Sequence, residues 1–453
     1  MQIDRFDYFV WAIIAALMLA ILGLIWGSSL IGIEINRTIP QEGGEVGMSG
    51  PIGIEFAQAM NQKSVEEHFS LLNGSPGTFR WDENMMMFYP QGTLEAGERY
   101  TATLLPGSLG EDNRKVKEEI SWSFTVRDPW IVYLSYGDPG RDIFKLSMSG
   151  GEIEQLTTTN GKVYDFSPSS DGEKIAYSLI NEEEGIDIWV MLRDGNNSKK
   201  IIDCQNHRCS SPRWSPDSTQ IAYIKSEAGL GPDEPYSAPR VWLFDVRSGT
   251  STRLYSDNQK IGYSPSWSPD GRKLTYVDGI NNLLVAVDLE SRHEIKLPNQ
   301  LGSIGSWSPD SKKLLFGDIS SGIDSYSEII YEVDMTTQDV IVLYGNLPND
   351  NQYYHPQWSP DGKWITVSVR PSGSNINRSL AIFPVGDVIG TTIADNPNYV
   401  YLNYQFDPSG RYLVYQRHEL GKAYTQPEIL LYDTSSDSSI VLAGNASFPS
   451  WLP

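Results

Sequence analysis

The chain has 453 residues with 57 acidic and 35 basic side chains, a formal net charge of −22 at pH 7. Nucleic-acid binding needs clustered lysine and arginine to neutralise phosphates, so this charge balance argues against a nucleic-acid partner. Only two cysteines and five histidines are available as strong metal ligands. We therefore expect neither a metal centre nor another cofactor.

The first predicted element, residues 1–34, contains an uncharged run from Tyr8 to Ile33. A run of about 26 residues is long enough to span a bilayer, and Trp11 and Trp26 suit the membrane interfaces at its two ends. A cleaved signal peptide is the alternative, but it would have a shorter apolar core followed by a small-residue cleavage site. We expect a single-pass transmembrane helix that acts as an uncleaved signal anchor. Its N-terminus would be cytoplasmic and the bulk of the chain extracytoplasmic, in the periplasm or at the cell surface.

The second element, residues 35–127, has short alternating runs between Gly and Pro turns. Runs such as Ile52–Phe56 and Tyr100–Leu104 indicate strands, and their spacing is typical of a β-sandwich. An Ile-x-Phe strand followed by Ala59-Met60-Asn61 and Ser64-Val65-Glu66 resembles the SbsA-type bacterial Ig-like domain. This resemblance implies a spacer or adhesion module and brings no catalytic residue.

From residue 128 to residue 453 one short turn motif recurs. Each copy is a Trp or Phe followed by Ser-Pro-Asp-Gly or a close variant, and a strand-like run such as Lys174–Tyr177 comes next. Pro presets φ, Asp bonds its own backbone and Gly accepts positive φ, so the motif is a turn between two strands. The copies lie about 50 residues apart, a period typical of propellers. Their first residues are Phe166, Trp214, Trp267, Trp307, Trp358 and Phe406.

These residues resemble the TolB-type β-propeller repeat, whose signature is a Trp-Ser-Pro-Asp-Gly turn before a Leu/Ile-Ala-Tyr strand. The departures are mild, since Phe166 and Phe406 replace Trp. The resemblance implies that the Trp, Pro, Asp and Gly of the motif are structural.

The number of blades follows from the two ends of the propeller segment. The first repeat begins at Ile131 without an inner strand, whereas Phe448–Trp451 at the C-terminus matches Ser264–Trp267. We therefore predict that the C-terminal strand, residues 447–452, closes the first blade. The predicted fold is all-β, with a seven-bladed β-propeller over residues 128–453, preceded by an Ig-like β-sandwich and one N-terminal transmembrane helix.

The two cysteines occur in the segment Cys204-Gln-Asn-His-Arg-Cys209. A local disulfide suits the even count and an oxidising compartment. A metal site would use both thiolates and His207, but no fourth ligand is apparent and the spacing matches no common zinc pattern. We favour the disulfide.

The loops between the second and third strands of each repeat, and those between repeats, are longer than the remaining turns. In a propeller they share one face, which we call the long-loop face, and the turn motifs lie on the opposite, plain face. Because variable loops on a rigid scaffold carry function, we expect the partner-binding surface on the long-loop face. The candidate partner-binding residues there are acidic or aromatic, with one histidine: Asp233, Glu234, Tyr236, Tyr326, Tyr353, Tyr354, His418 and Tyr424.

The leading hypothesis is a membrane-anchored extracytoplasmic scaffold that binds a protein or glycan partner in the cell envelope, as a subunit of a membrane complex. We do not expect an enzyme, because no Gly-x-Ser-x-Gly elbow or His-Glu-x-x-His motif is present. The alternative is a metal-dependent carbohydrate-active enzyme. Oligogalacturonate lyases have similar propellers and bind a metal through several histidines, and His355, with Gln352 and Gln357, lies in the corresponding region. A third hypothesis is a sensor that signals through the anchor.

Overall fold

The computed structural model describes residues 9, 11, 13–19, 32–73, 76–135, 140–229, 231, 234–257, 259–321, 326–345, 351–374, 379–421 and 426–453. The chain divides into two compact bodies. One is built from residues before Arg127, and the other from Arg127–Pro453 together with Gly47–Gly50 and Gly92–Ala96.

The predicted membrane anchor is wrong. Residues 13–19 are helical in the described part of the chain. Across the described part of the chain, no helix has the length and apolar character to cross a membrane. This finding overturns the predicted single-pass topology and the localisation derived from it. The other residues of the uncharged run, including residues 20–31, lie outside the described part.

The strands of the first body form two four-stranded sheets, and a short helix lies between two of these strands in the chain. The sheet orders are β1-β3-β6-β5 and β2-β8-β7-β4. Apolar residues alternate with polar ones, as in the last strand, where Trp122, Phe124 and Val126 are buried between residues of greater exposure. The elements are β1 (Ile35–Ile39), β2 (Glu45–Val46), β3 (Ile52–Phe56), α1 (Gln62–His68), β4 (Phe69–Leu72), β5 (Gly77–Asp82), β6 (Met85–Pro90), β7 (Arg99–Leu104) and β8 (Ile120–Val126).

The second body is built from four-stranded antiparallel repeats. The first comprises β9 (Trp130–Ser135), β10 (Ile143–Ser147), β11 (Ile153–Gln155) and β36 (Ala446–Leu452). The next two comprise β12 (Val163–Pro168), β13 (Lys174–Ile180), β14 (Ile186–Leu192), β15 (Lys199–Ile202), then β16 (Arg208–Trp214), β17 (Gln220–Ser226), β18 (Arg240–Asp245) and β19 (Thr250–Arg253). These two repeats are joined into one sheet by a single parallel pair, Ile186 with Arg208.

The other repeats are separate sheets, each running from its innermost to its outermost strand in chain order. They comprise β20 (Tyr263–Trp267), β21 (Lys273–Asp278), β22 (Leu283–Asp288), β23 (Glu294–Pro298); β24 (Ser306–Trp307), β25 (Lys313–Ser321), β26 (Tyr326–Asp334), β27 (Val340–Tyr344); β28 (Gln352–Trp358), β29 (Trp364–Arg370), β30 (Ser379–Pro384), β31 (Thr391–Ala394); and β32 (Tyr399–Phe406), β33 (Tyr412–Glu419), β34 (Glu428–Asp433), β35 (Ser438–Gly444).

The last strand of the chain completes the first repeat. β36 pairs antiparallel with β9, and Trp451 lies opposite Ile131. Both residues are buried in a cluster with Val414 and Ile429 from the last repeat. The hydrophobic core of this body therefore lies between neighbouring sheets, and the closing strand contributes to it directly.

The turn motif is held by one hydrogen bond that recurs. In five copies the Ser Oγ donates to the Asp Oδ1 two residues later, at 2.6 Å each time. The sixth copy exchanges the two residue types, and Ser409 donates to Asp407. Motifs also contact their neighbours, since the Trp214 indole donates to the Ser167 carbonyl at 3.1 Å. The motif thus serves as scaffold on the plain face.

Candidate functional site

Five innermost strands, β16, β20, β28, β32 and β36, share an irregularity three residues before the aromatic of the turn motif. There the pairing register with the second strand shifts, and the backbone takes a positive φ, between 47° and 57° in the described strands concerned. Such bulges re-aim a side chain and are frequent beside functional sites. The residues at this position are Ser211, Ser264, His355, Asn403 and Phe448.

Phe448 is the strongest outlier among them. Its φ is 54°, a left-handed conformation that costs a bulky residue about 1–2 kcal/mol. Its ring is 47% exposed, so burial of the ring does little to offset that cost. The Phe448 amide donates to the Gln416 side chain at 2.8 Å, which fixes the bulge. The left-handed backbone and exposed ring of Phe448 therefore do not stabilise the fold.

Arg141 lies beside the Phe448 ring, and it also contacts the backbone of Tyr164. The Arg141 guanidinium carbon lies 5.8 Å from the ring centroid, and Arg141 Nη1 donates to the Tyr164 carbonyl at 3.3 Å. The Tyr164 side chain is 48% exposed. We call Arg141, Tyr164 and Phe448 the inner-strand patch. Aromatic and arginine side chains grouped in this way are typical of binding hot spots.

The neighbouring bulges at His355 and Asn403 are held by hydrogen bonds from the strands behind them. The Tyr404 hydroxyl donates to the His355 carbonyl and accepts from the Ser368 amide. The Asn403 amide group donates to Gln416 Oε1 at 2.9 Å, the same atom that accepts from the Phe448 backbone. The bulges are therefore built features of the fold.

His418, a predicted partner-binding residue, lies behind this surface. It is half-buried, and burial lowers the pKa of its ring, which favours the neutral form. Gln416 Nε2 donates to His418 Nε2, as a neutral ring nitrogen allows. The structure thus places His418 where it orients the Gln416 side chain that holds Asn403 and Phe448.

A charged pair lies one layer below the bulges. The Asp165 carboxylate accepts from the Ser211 amide at 2.8 Å. Burial raises the pKa of Asp165, and the Ser178 hydroxyl and the Arg213 guanidinium oppose that shift. The Arg213 guanidinium is exposed and is attracted to Asp165. Charged side chains therefore accompany the bulge at Ser211.

Cys204 and Cys209 form a disulfide with a Cα–Cα distance of 6.2 Å. The loop that it closes supports the longer loop of the next repeat. His207 Nδ1 accepts from the Ala228 amide at 2.9 Å, and the Tyr236 hydroxyl donates to the Asn206 carbonyl at 3.2 Å. His207 is thus engaged within the loops.

Tyr236 and Glu234 lie on this pair of loops. The Arg208 guanidinium carbon is 4.1 Å from the Tyr236 ring centroid, so one face of that ring is covered, and the side chain is half-buried. Glu234 is exposed. Asp233, Tyr424 and the side chain of Tyr326 lie outside the described part of the chain.

Tyr353 and Tyr354, two of the predicted partner-binding residues, have little exposure to solvent. Both are buried, with 2% and 5% exposure, because they lie within β28 rather than in a loop. The Tyr353 ring packs against Tyr344 and Phe383, at centroid distances of 5.8 and 6.2 Å. These tyrosines belong to the core between two repeats.

The metal-site hypothesis gains no support around His355. In the residues that the structure describes, no group of three His, Cys, Asp or Glu side chains is placed to hold a metal ion. Gln352, which was considered with His355, accepts from the Tyr354 hydroxyl at 3.0 Å.

The sequence model of the TolB beta propeller domain matches residues 180–453, more than half of the chain. The chain belongs to this family. A model of the bacterial Ig-like domain matches residues 31–126. The predicted TolB-type propeller and the predicted Ig-like domain are both confirmed.

Individual TolB-type relatives are distant. The Tol-Pal system protein TolB of Francisella tularensis subsp. mediasiatica is 24% identical over 274 residues, which cover 57% of this chain and 58% of that protein. The crystal structure of TolB from Acinetobacter baumannii matches with a TM-score of 0.44 at 21% identity, over 71% of this chain and 82% of that chain. A prolyl endopeptidase structure reaches a TM-score of 0.52 at 11% identity, over 79% and 49%, and shows the fold alone. The chain spans at most 58% of the length of the first curated relatives it matches.

Sequence reasoning missed the inner-strand patch of this TolB-type propeller. A signal was present in the pattern X-Pro-x-Trp, whose X positions are Ser211, Ser264, His355 and Phe448. Phe448 differs most in size and polarity from Ser211 and Ser264. Arg141 and Tyr164 carry no comparable pattern, because only the fold brings them to Phe448.

Proposed function

We propose that the propeller is a binding scaffold that docks a protein partner on its long-loop face, with the inner-strand patch as the anchor. The proposal rests on one observation: the Phe448 ring is exposed, and the Phe448 backbone has a strained, positive φ. Strain of this kind persists at binding sites because the surrounding structure holds it in place. The related Francisella protein is named for the Tol-Pal system, which supports a role within an assembly of proteins.

The proposal includes a closed ring of seven blades over residues 128–453, with the Ig-like domain over residues 35–127 as a spacer. The pairing of β36 with β9 supports closure, since it leaves the first repeat with a complete set of strands. The disulfide suits an oxidising compartment. Binding, rather than catalysis, fits the exposed Arg, Tyr and Phe of the patch, which are recognition residues.

Site-specific photo-crosslinking of the full chain in its own cells tests the proposal. A photoreactive phenylalanine analogue at position 164 should form a discrete adduct that contains a second protein. The same analogue at Glu290, in an exposed turn of the plain face, should form no such adduct. An adduct that carries glycan and no protein, or equal crosslinking from both positions, would contradict a protein partner on the long-loop face.

The affinity of the identified partner then tests the anchor. Phe448→Asn should weaken binding about 30-fold or more, the effect of losing a hot-spot side chain. Ile153→Asn is the matched control, because Ile153 is 52% exposed on the outer strand of the same repeat. Calorimetric titration should give wild-type affinity for the control. Equal affinities for wild type and Phe448→Asn would remove Phe448 as the anchor.

A further inference from the structure

The Gln416 side chain joins the last repeat to the closing strand of the propeller body. It lies on β33 and is 2% exposed. Its Oε1 atom accepts from the Phe448 backbone amide of β36 at 2.8 Å and from Asn403 Nδ2 of β32 at 2.9 Å. A backbone amide can only donate, so the contact with Phe448 identifies the oxygen end of the Gln416 amide. The nitrogen end, Nε2, therefore faces His418.

The direction of this hydrogen bond determines the protonation state of His418. Gln416 Nε2 can only donate, so His418 Nε2 must accept, and an imidazole nitrogen accepts only when it carries no proton. The ring is therefore neutral, with its proton on Nδ1. Burial also lowers the pKa of His418, so the surroundings favour the same neutral form at pH 7.

Burial is the single cause of the lowered His418 pKa among the described residues. On β33 the neighbours Arg417 and Glu419 point to the opposite face of the sheet, and Arg417 Nε donates to Glu428 of β34 at 2.7 Å. The residue opposite His418 on β32 is the apolar Val400. The other titratable groups on the surrounding elements are Tyr399 and Tyr401 on β32, Arg141 beside Phe448, and His355 in the bulge of β28. Residues 136–139, after β9, and 422–425, after β33, lie outside the described part of the chain.

Protonation of the His418 ring is incompatible with this set of hydrogen bonds. The new N–H at Nε2 would face the Gln416 Nε2 donor, and two donors cannot bond to each other. If the Gln416 amide rotated by half a turn, its oxygen would meet His418, but its nitrogen would then face the Phe448 amide, another donor. If His418 turned away instead, Gln416 Nε2 would lose its acceptor. Each outcome removes a hydrogen bond from a buried polar group, which is costly.

The Phe448 bulge is the strained part of this network. Its φ of 54° is unfavourable for a bulky side chain, and the Gln416 contact holds the bulge in place. We propose that His418 is a pH sensor for the inner-strand patch: protonation of its ring disrupts the Gln416 hydrogen bonds, releases the Phe448 bulge and weakens partner binding. Binding is therefore strongest at neutral pH and falls on acidification, through the range in which histidine changes charge. The effect on binding rests on the proposed function, whereas the change at Phe448 is a property of this chain alone.

Fluorine NMR of the full chain tests the sensor without any partner. A 4-fluorophenylalanine placed at position 448 reports the surroundings of the ring. Between pH 7.5 and pH 4.5 its resonance should shift or split, with a midpoint below about 6.5, the ordinary pKa of histidine. His418→Gln should abolish this response, because the new amide oxygen accepts from Gln416 at every pH. His355→Gln is the matched control and should retain the response, since His355 is exposed and lies on β28.

Circular dichroism at each pH establishes that the chain and its variants remain folded over this range. A fluorine resonance that does not change with pH in the chain with both histidines would overturn the proposal. The same response in His418→Gln would also overturn it, because the response would then come from another titrating group.

Partner affinity separates the sensor from the proposed function. Between pH 7 and pH 5, wild type should lose at least about fivefold more affinity for the crosslinked protein partner than His418→Gln does, within the usual range of coupling between two sites. Equal losses would overturn the control of binding by His418. Tight binding at pH 7 without a fluorine response would reject the sensor and leave the proposed function standing. A fluorine response that depends on His418, with no protein captured by crosslinking, would reject the proposed function and leave the sensor of the bulge standing.

Discussion

The plain face and the innermost strands of the propeller differ in which structural features recur from one repeat to the next. In the turn motifs both backbone and side chains recur, and the same Ser-to-Asp hydrogen bond of 2.6 Å closes five of them. Three residues before the motif aromatic, a positive φ recurs in five innermost strands while the side chain changes among Ser, His, Asn and Phe. Where side chains repeat they hold the sheets together, and where only the backbone repeats it presents a variable surface. The contrast separates the scaffold from the proposed binding surface within single strands.

The largest expected effect on stability is at Trp451, a buried residue between two sheets of the scaffold. Its indole is buried between the first and last repeats and donates to the Gln405 carbonyl at 3.0 Å. Trp451→Ala should lower the free energy of unfolding by about 3–5 kcal/mol, the cost of deleting a large buried ring. Urea denaturation measures the change. Trp451→Phe should retain most of the stability, because Phe406 occupies the same position in the last repeat, opposite Leu413 as Trp451 is opposite Ile131. An equally large loss with Phe would contradict a packing role.

On the long-loop face, a loop is supported by its neighbouring loops. Removing the disulfide tests that support. Removing both cysteines by Cys204→Ala and Cys209→Ala should cost about 2 kcal/mol, as expected for a short closed loop. The loop at Tyr236, which rests on Asn206 and His207, should become more sensitive to protease. Limited proteolysis with mass spectrometry locates the cuts, and protein with the disulfide intact is the control. Unchanged cleavage in that loop would show that it is supported independently.

The one exception on the plain face is the exchanged pair Asp407 and Ser409. Burial raises the pKa of Asp407, so the charged carboxylate is disfavoured in the folded state at neutral pH. The double exchange Asp407→Ser with Ser409→Asp restores the common arrangement, in which the Ser308 hydroxyl lowers the pKa of Asp310. We expect it to raise stability at pH 7 by about 1 kcal/mol.

This gain should shrink as the pH falls. A folded-state pKa raised above the unfolded value penalises wild type above that pKa, and the penalty disappears as Asp407 becomes protonated. The new carboxylate at position 409, with a lowered pKa, loses its contribution over the same descent. Urea denaturation from pH 7 to acidic pH measures the difference. A gain that grows on acidification would contradict a buried, penalised Asp407.

The smallest expected effect on stability is at Phe448, in the proposed binding surface. Phe448→Asn should leave the free energy of unfolding unchanged or raise it by up to about 1 kcal/mol, because Asn tolerates positive φ and the lost ring is exposed. Thermal and urea unfolding measure this difference, with Ile153→Asn as the control. A loss above about 2 kcal/mol would place Phe448 with the buried scaffold residues.

Much of the fold was predictable because its signals are local. The turn motif combines a preset φ, a side-chain hydrogen bond and a glycine within a few residues, so each copy indicates a strand pair by itself. The match between Phe448–Trp451 and Ser264–Trp267 pointed to the pairing of the closing strand. The predicted membrane anchor rested on the length and low polarity of an uncharged run, whereas no helix in the described part of the chain is long and apolar enough to span a membrane.

The sequence by itself determined the repeats, the turns and the family of this protein, since these depend on neighbouring residues along the chain. The tertiary structure decided which side chains face solvent and which meet. Tyr353 is buried because it packs against Tyr344 of the preceding repeat and Phe383 of its own repeat. Arg141 and Phe448 come together because β36 returns to the first repeat. Exposure and proximity depend on contacts between distant segments, and no local pattern contains them.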